Sequence, residues 1–255
     1  MTGVIDPGGA DLYLPGQRVR MTMSLETGTI GELAIANPGA IPTLEKLGID
    51  YCCGGTTTVA DACRRAGISP EQLLALVSTS DRPAGRVWDK EPLTALVRFI
   101  LDTHHVYTRE AIASLPPLAT KVRGRHGEAH PETRRVEALV HRLAGDLAPH
   151  LQKEEQILFP YIVALEEAGG RPAVSCFGTV RNPIRMMMAE HEAAGEILAE
   201  LRAKTVGYTL PPDACTSFQA LYAGLTQLEG DLHRHIHLEN NVLFPRAIDL
   251  EEAGG

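Results

Sequence analysis

One 21-residue segment occurs twice in this chain, and that repeat restricts the fold more than any other feature. Aligned without a gap, residues 150–170 and 235–255 are identical at 11 of 21 positions, with an offset of 85 residues. Both copies read His-x-x-x-Glu, then Leu-Phe-Pro, then Leu-Glu-Glu-Ala-Gly-Gly, so both end on the same kind of glycine terminus. Upstream, His105 and His191 lie 86 residues apart, each on the segment that precedes its copy. Each half therefore reads as a helical hairpin with one His on its first helix and a His-x-x-x-Glu on its second. Two such hairpins, related by an approximate two-fold axis, make a four-helix bundle.

The rest of the chain agrees with an all-α fold. Apolar residues recur at helical spacing over 92–115, 131–168, 182–204 and 213–250, while β-branched alternation is almost absent. Pro149, Pro160 and Pro245 fall inside two of these patterns and should kink or interrupt them. Ahead of the bundle, Ile30, Leu33 and Ala34, then Ile41, Leu44 and Leu47, imply short helices, and Ser69-Pro70-Glu71-Gln72 reads as a capping box opening another. The expected organisation is a leader over 1–24, a small helical domain over 25–78, a linker over 79–90 where Thr79, Ser80, Asp81, Pro83 and Gly85 interrupt any apolar period, and the bundle over 91–255.

Residues at i and i+4 share one helix face, so His150 with Glu154, and His235 with Glu239, can aim an imidazole and a carboxylate at one point. Leu143, Leu147, His150, Glu154, Ile157 or Leu158, and Tyr161 follow the alternating steps of a core seam, which places the polar pair within an apolar stripe. Burial of such groups is costly unless they are hydrogen-bonded or hold a metal. Carboxylates and imidazoles converging in a bundle core are the donors of a pair of non-haem irons, with the carboxylates able to bridge them. Zinc is the chemical rival, but it favours four ligands and more Cys or His.

His126 has no counterpart in the other half. On a straight helix it would stand roughly 31 Å from His105 at about 1.5 Å per residue, so it joins the same site only if the chain reverses at Pro116-Pro117. With that reversal the expected ligands are His105, His126, His150, Glu154, His191, His235 and Glu239. His104, His130, His141, His233 and His237 lie off the repeat and read as surface or satisfied core histidines. Met186-Met187-Met188 reads as helix core, since three consecutive residues cannot face one point.

Asp50-Tyr51-Cys52-Cys53-Gly54-Gly55 is the second chemical constellation. Adjacent Cα atoms are about 3.8 Å apart, below the ~4.4 Å usual minimum for a disulfide, so thiol work with an outside partner is more natural than a bond between Cys52 and Cys53. A following helix N-terminus is expected to favour the thiolate. Cys63, Cys176 and Cys215 lack this context.

Composition bounds the remaining possibilities. A formal net charge of −8 on 255 residues, with only 5% aromatic residues and no basic run, argues against nucleic-acid partners or an anionic membrane surface. No apolar run approaches a membrane span, and five scattered cysteines do not make a secreted disulfide framework, which points to the cytoplasm.

Taken together, the Asp-Tyr-Cys-Cys-Gly-Gly run, His150-x-x-x-Glu154, Glu190-His191-Glu192-Ala-Ala-Gly195 and His235-x-x-x-Glu239-Asn-Asn-Val-Leu-Phe-Pro245 resemble the di-iron proteins that repair iron-sulfur clusters, the "repair of iron centers" family. The likeness spans about 30–247. It implies a hemerythrin-like bundle around two irons joined by a μ-oxo or hydroxo bridge, bridging carboxylates from Glu154 and Glu239, and terminal imidazoles from His105, His126, His150, His191 and His235. It further implies a cytoplasmic stress protein that supplies iron to damaged or apo iron-sulfur proteins; the alternative is an enzyme that detoxifies nitric oxide by reducing it to nitrous oxide at the di-iron centre, with nitric oxide or oxygen as the small ligand. The Cys52-Cys53 domain is implied to mediate homodimer contacts or to take part in redox or iron handling. Reversible oxygen binding suits the sequence less well, because a carrier has no task for the thiol domain. Because ligation needs neutral imidazoles, iron loss is expected below about pH 6, near the ordinary His value of ~6.5.

Overall fold

The computed structural model describes residues 27–78, 86–171 and 175–254. The expected leader over 1–24 and most of the expected linker, residues 79–85, lie outside them. Two compact units divide the chain, Met1–Glu91 and Pro92–Gly255.

In the first unit, four short helices are set by local chemistry: α1 (Ile30–Ala36), α2 (Ile41–Leu47), α3 (Val59–Ala66) and α4 (Pro70–Ser78). Thr29 and Glu32 form a reciprocal capping box that opens α1, and Ser69 with Gln72 does the same for α4. α2 and α3 each end on a left-handed glycine, Gly48 and Gly67. Ile30, Leu33, Leu44, Tyr51, Val59, Cys63 and Leu73 close the core of this unit. At its far end the Arg86 guanidinium lies over the buried Trp88 ring.

The second unit is a four-helix bundle. α5 (Leu93–Phe99) continues through a π-helical turn, Ile100–His105, into α6 (Val106–His126); α7 (Thr133–Lys153) continues through Glu154–Leu158 into α8 (Phe159–Glu167). The third helix is α9 (Arg181–Lys204), and the fourth is α10 (Thr216–Leu238), joined through Glu239–Leu243 to α11 (Phe244–Gly254). α6 packs on α7 and α10, and α7 on α9, around Leu139, Leu143, Leu198, Leu201, Leu225 and Leu232.

The prolines act differently at different places. Pro160 and Pro245 lack an N–H for the regular ladder, and each lies two residues past the end of a π turn, where the ladder is already respaced. The extra residue of the Glu154–Leu158 π turn moves the core seam from Ile157, half-exposed, to Leu158, buried. Pro116 and Pro117, by contrast, do not reverse the chain. α6 runs through both because Ala111, Leu115, Ala119 and Val122 form a buried stripe on either side of them. Across that stripe α10 presents Gly224, where a Cβ would stand 2.7 Å from a Leu115 methyl carbon. Packing of this stripe outweighs the ~3 kcal/mol helix penalty of a proline.

The duplicated Gly-Gly termini meet. Gly170 has φ +88°, and a Cβ there would lie 2.5 Å from the Leu250 carbonyl oxygen; one on Gly254 would lie 2.2 Å from the Gly170 carbonyl carbon. Close backbone contact between the two repeat ends thus explains why both are glycine. Gly170→Ala is expected to cost about 2 kcal/mol or more, from left-handed strain plus the clash, read as a lower denaturation midpoint. Beside this contact Glu251 accepts hydrogen bonds from the Tyr161 hydroxyl at 2.6 Å and the Val180 N–H at 3.1 Å, pinning the start of α9.

Candidate metal centre

Six of the seven expected ligands converge inside the bundle. His105 comes from the end of the first π turn, His150 and Glu154 from the α7 junction, His191 from the middle of α9, and His235 and Glu239 from the α10 junction. All six are buried, with Glu154 and Glu239 0% exposed. Their donor atoms form two groups, each within 4.8 Å: His105, Glu154, His235 and Glu239 in one, and His150, Glu154, His191 and Glu239 in the other.

The repeat accounts for this arrangement. The approximate two-fold exchanges His105 with His191 and His150 with His235, so each pocket receives one imidazole from each hairpin and both carboxylates. Glu239 faces both pockets, with Oε1 2.9 Å from His235 Nε2 and Oε2 3.2 Å from His191 Nε2. Glu154 Oε2 lies 3.5 Å from His105 Nε2 and 3.3 Å from His150 Nε2. Both Glu154 oxygens, Glu239 Oε2 and His105 Nε2 are buried without a hydrogen-bond partner. Buried polar atoms left in this state are expensive, and converging orphans of this kind fit cations held between them. The donors are nitrogen and carboxylate oxygen only, and four protein donors per pocket leave positions open on a metal that prefers six.

Groups behind the ligands follow the repeat imperfectly. His105 Nδ1 lies 2.8 Å from Glu155 Oε1, and at the equivalent place His191 Nδ1 lies 2.9 Å from Asn240 Oδ1. His150 Nδ1 lies 2.8 Å from Glu190 Oε2, but its counterpart His235 has the His104 ring stacked 5.4 Å away, and His235 Nδ1 has no hydrogen-bond partner. His104 Nδ1 is instead 3.0 Å from Asp231 Oδ1. These orienting groups fix ring tautomers. Sequence reasoning missed Glu155, Asn240, Glu190 and Asp231, although Glu155 and Asn240 each follow a ligand glutamate in the repeat.

Charge among the site residues is balanced unevenly. Burial pushes the His191 imidazole down, but the Glu239 carboxylate 3.2 Å away, with Glu154 beyond, brings it up to about 9. His105 is likewise raised by Glu154, Glu239 and Glu155 against the cost of burial. For His235 burial wins and holds the ring below its ordinary value. Burial alone would raise Glu239, yet His235 and His191 hold it well below the usual carboxylate range. Next to the second pocket, a cavity of about 200 Å³ is lined by Pro149, His150, Lys153, Glu190, His191 and His235 among others. Lys153 and Glu190 form an ion pair there.

Comparison with known proteins places this geometry. Residues 97–247 match the hemerythrin HHE cation-binding domain, and residues 26–80 match a domain of unknown function designated DUF542. Iron-sulfur cluster repair protein YtfE of Escherichia coli O157:H7 is 37% identical over 220 residues, covering 86% of this chain and 96% of the relative. The YtfE proteins of Citrobacter koseri and Shigella boydii serotype 4 are also 37% identical, over 227 and 220 residues, covering 89% and 86% of this chain and 99% and 96% of theirs. The chain belongs to the iron-sulfur cluster repair protein family. Its bundle is the hemerythrin-like cation-binding domain, and the Cys-Cys-Gly-Gly run lies in the preceding domain of that family.

Two expectations change against the structure. His126 does not join the centre, because the reversal at Pro116-Pro117 is absent and His126 closes α6, a full 21-residue helix. Its Nε2 lies 3.1 Å from Cys215 Sγ. His126→Ala is therefore expected to leave the iron content of the bundle unchanged, as read by metal analysis beside the wild-type protein.

The thiol expectation also shifts. Asp50 caps the turn, with Oδ1 accepting the Cys52 and Cys53 N–H groups at 3.0 Å each and Oδ2 accepting the Gly54 N–H at 2.9 Å. A Cβ on Gly54 would meet the Asp50 carboxylate at 3.0 Å. Helix α3 begins only at Val59, too far along to act on Cys52. The neighbouring Cys53 thiol, burial and the Asp50 charge instead raise the Cys52 thiol well above its ordinary value, so it is held protonated. Cys53 is exposed, and its Sγ lies 3.9 Å from that of Cys52.

Proposed function

We propose that the two pockets hold two iron ions, bridged by Glu154, Glu239 and an oxo or hydroxo group. The protein donates this iron in the cytoplasm to iron-sulfur proteins damaged by nitrosative or oxidative stress. One observation carries the reading: six buried carboxylate and imidazole donors form two pockets in a chain similar to named iron-sulfur cluster repair proteins over 86% of its length.

The donor set suits a cargo that must leave. Ferrous iron stands low among the divalent metals in affinity for such nitrogen and oxygen ligands, so reduction loosens its hold. What the chain does when a ferrous ion departs follows from its own groups. His191 takes up a proton and donates it from Nε2 toward Glu239 Oε2, 3.2 Å away, which pairs the charges left in the emptied pocket. His235 stays neutral. The Cys52-Cys53 pair supplies thiols for transfer, Cys53 being the exposed member.

Reduced, iron-loaded protein incubated with an oxidatively damaged iron-sulfur client is expected to restore the client's cluster absorbance. Glu239→Ala protein should not restore it, and Cys52→Ser/Cys53→Ser protein should do so more slowly. Equal restoration by Glu239→Ala protein would remove the centre from the reaction, and equal rates for the thiol variant would remove the thiols.

A further inference from the structure

At the end of α6 remote from the centre, three side chains with metal-binding atoms that the iron centre does not use meet, His126, His130 and Asp213, and the Cys215 thiol lies against one of them, His126. His126 is the last residue of α6, and the His130 N–H donates to the His126 carbonyl at 2.8 Å, which sets the two imidazoles one turn apart with ring centroids 6.1 Å from each other. Asp213 and Cys215 come from the segment that enters α10, with Cys215 at its N-cap position. Donor atoms of His126, His130 and Asp213 all lie within 4.8 Å of one another. His126 Nε2 is 3.1 Å from Cys215 Sγ, and His130 Nε2 is 2.9 Å from Asp213 Oδ1.

The group is held in place rather than gathered by chance on a surface. Both rings rest on Phe218, which is fully buried, at centroid distances of 5.2 and 5.6 Å. His130 turns Nδ1 toward Glu132 Oε1 at 3.4 Å while Nε2 faces Asp213. A carboxylate behind one ring nitrogen and a converging donor before the other is the arrangement of a metal-ligating histidine. The Cys215 thiol stands at the N-cap of α10 with its Sγ 3.1 Å from His126 Nε2, so it can be drawn to the same ion as that imidazole.

We infer that His126, His130, Asp213 and Cys215 form a second, mononuclear site for a zinc-class divalent transition metal. Two nitrogens, one carboxylate oxygen and one thiolate make a tetrahedral set of the kind zinc takes, unlike the all-nitrogen-and-oxygen pockets of the bundle centre. His126 and His130 are half-buried while Asp213 and Cys215 are exposed, which leaves the ion exchangeable with solvent. Binding displaces the Cys215 proton to solvent and ties the α6–α7 turn to the start of α10. The site stands apart from the proposed iron centre by the length of α6, roughly 31 Å at about 1.5 Å per residue, so it does not depend on that reading.

Cobaltous ion, a spectroscopic stand-in for zinc, tests the site in the iron-loaded full chain. One further ion per chain is expected to bind with a near-ultraviolet thiolate-to-cobalt band, and excess zinc should abolish the band. Cys215→Ser should lose the band and weaken binding at least tenfold, and His126→Ala/His130→Ala should abolish it, both with iron content and circular dichroism unchanged. No added cobalt, cobalt bound without a thiolate band, or a band that survives Cys215→Ser would overturn the inference. Should the double histidine variant misfold, the Cys215→Ser comparison decides alone.

Discussion

Glu239→Ala protein is expected to retain almost no iron, whereas His105→Ala protein keeps about one ion of the two. The difference follows from how the donors are shared. His105 belongs to one pocket, but Glu239 belongs to both, with one oxygen toward His235 and the other toward His191. Truncating the carboxylate therefore removes a ligand and a compensating negative charge from both positions at once, and leaves His191 and His235 facing a void. Loss of a ligating group commonly costs far more than the 10–100-fold affinity change produced by groups behind it. Metal analysis after gel filtration checks both numbers. Firm retention of one iron by Glu239→Ala protein would show that the two positions do not share this carboxylate.

A second large effect concerns protons. The Glu239 and Glu154 carboxylates push His191 up to about 9, well above the ordinary imidazole value of ~6.5. A group raised in this way stabilises the metal-free fold fully below about pH 6.5, and that contribution disappears as pH rises through about 9. Metal binding needs the neutral ring, so the sign reverses for affinity. Each unit of pH below about 9 costs roughly tenfold in metal affinity through this one residue, or about 100-fold between pH 9 and pH 7. His105, raised in the same direction, adds to the slope. The expectation of iron loss below about pH 6 rests on ordinary histidines, and the carboxylates beside these rings move the onset upward. Competition with a ferrous chelator across this range measures the slope, and a flat profile between pH 7 and 9 would contradict a protonated His191.

The duplicated segment made most of this centre readable from sequence. Its His-x-x-x-Glu spacing places donors on one helix face whatever the helix does elsewhere, and the 85-residue offset supplies the second pocket. Three features escaped for physical reasons. His126 was misplaced because a double proline normally stops a helix, and only the tertiary stripe of Leu115, Ala119 and Val122 against α10 keeps α6 running. The choice between Ile157 and Leu158 needed the π turn, whose single extra residue leaves no trace in an apolar pattern. The His126, His130, Asp213 and Cys215 group draws on two segments 83 residues apart that no local spacing connects, so His130 and Cys215 each read as unremarkable alone.

Cys52 shows the limit of a local rule in the other direction. A helix start after a cysteine pair suggests a thiolate, but three residues, Thr56 to Thr58, separate Gly55 from α3, and the closer Asp50 carboxylate and Cys53 thiol dominate. Electrostatic effects of a helix end fade within about one turn.

Anaerobic transfer of isotope-labelled iron tests the donor account most directly. The reduced protein, its two pockets filled with label, is mixed with an apo iron-sulfur client, sulfide and a competing ferrous chelator. Donation predicts that label enters a rebuilt client cluster faster than it reaches the chelator, with Glu239→Ala protein delivering none. Label that remains in the bundle while the client stays apo, above all with nitric oxide being consumed, would contradict it.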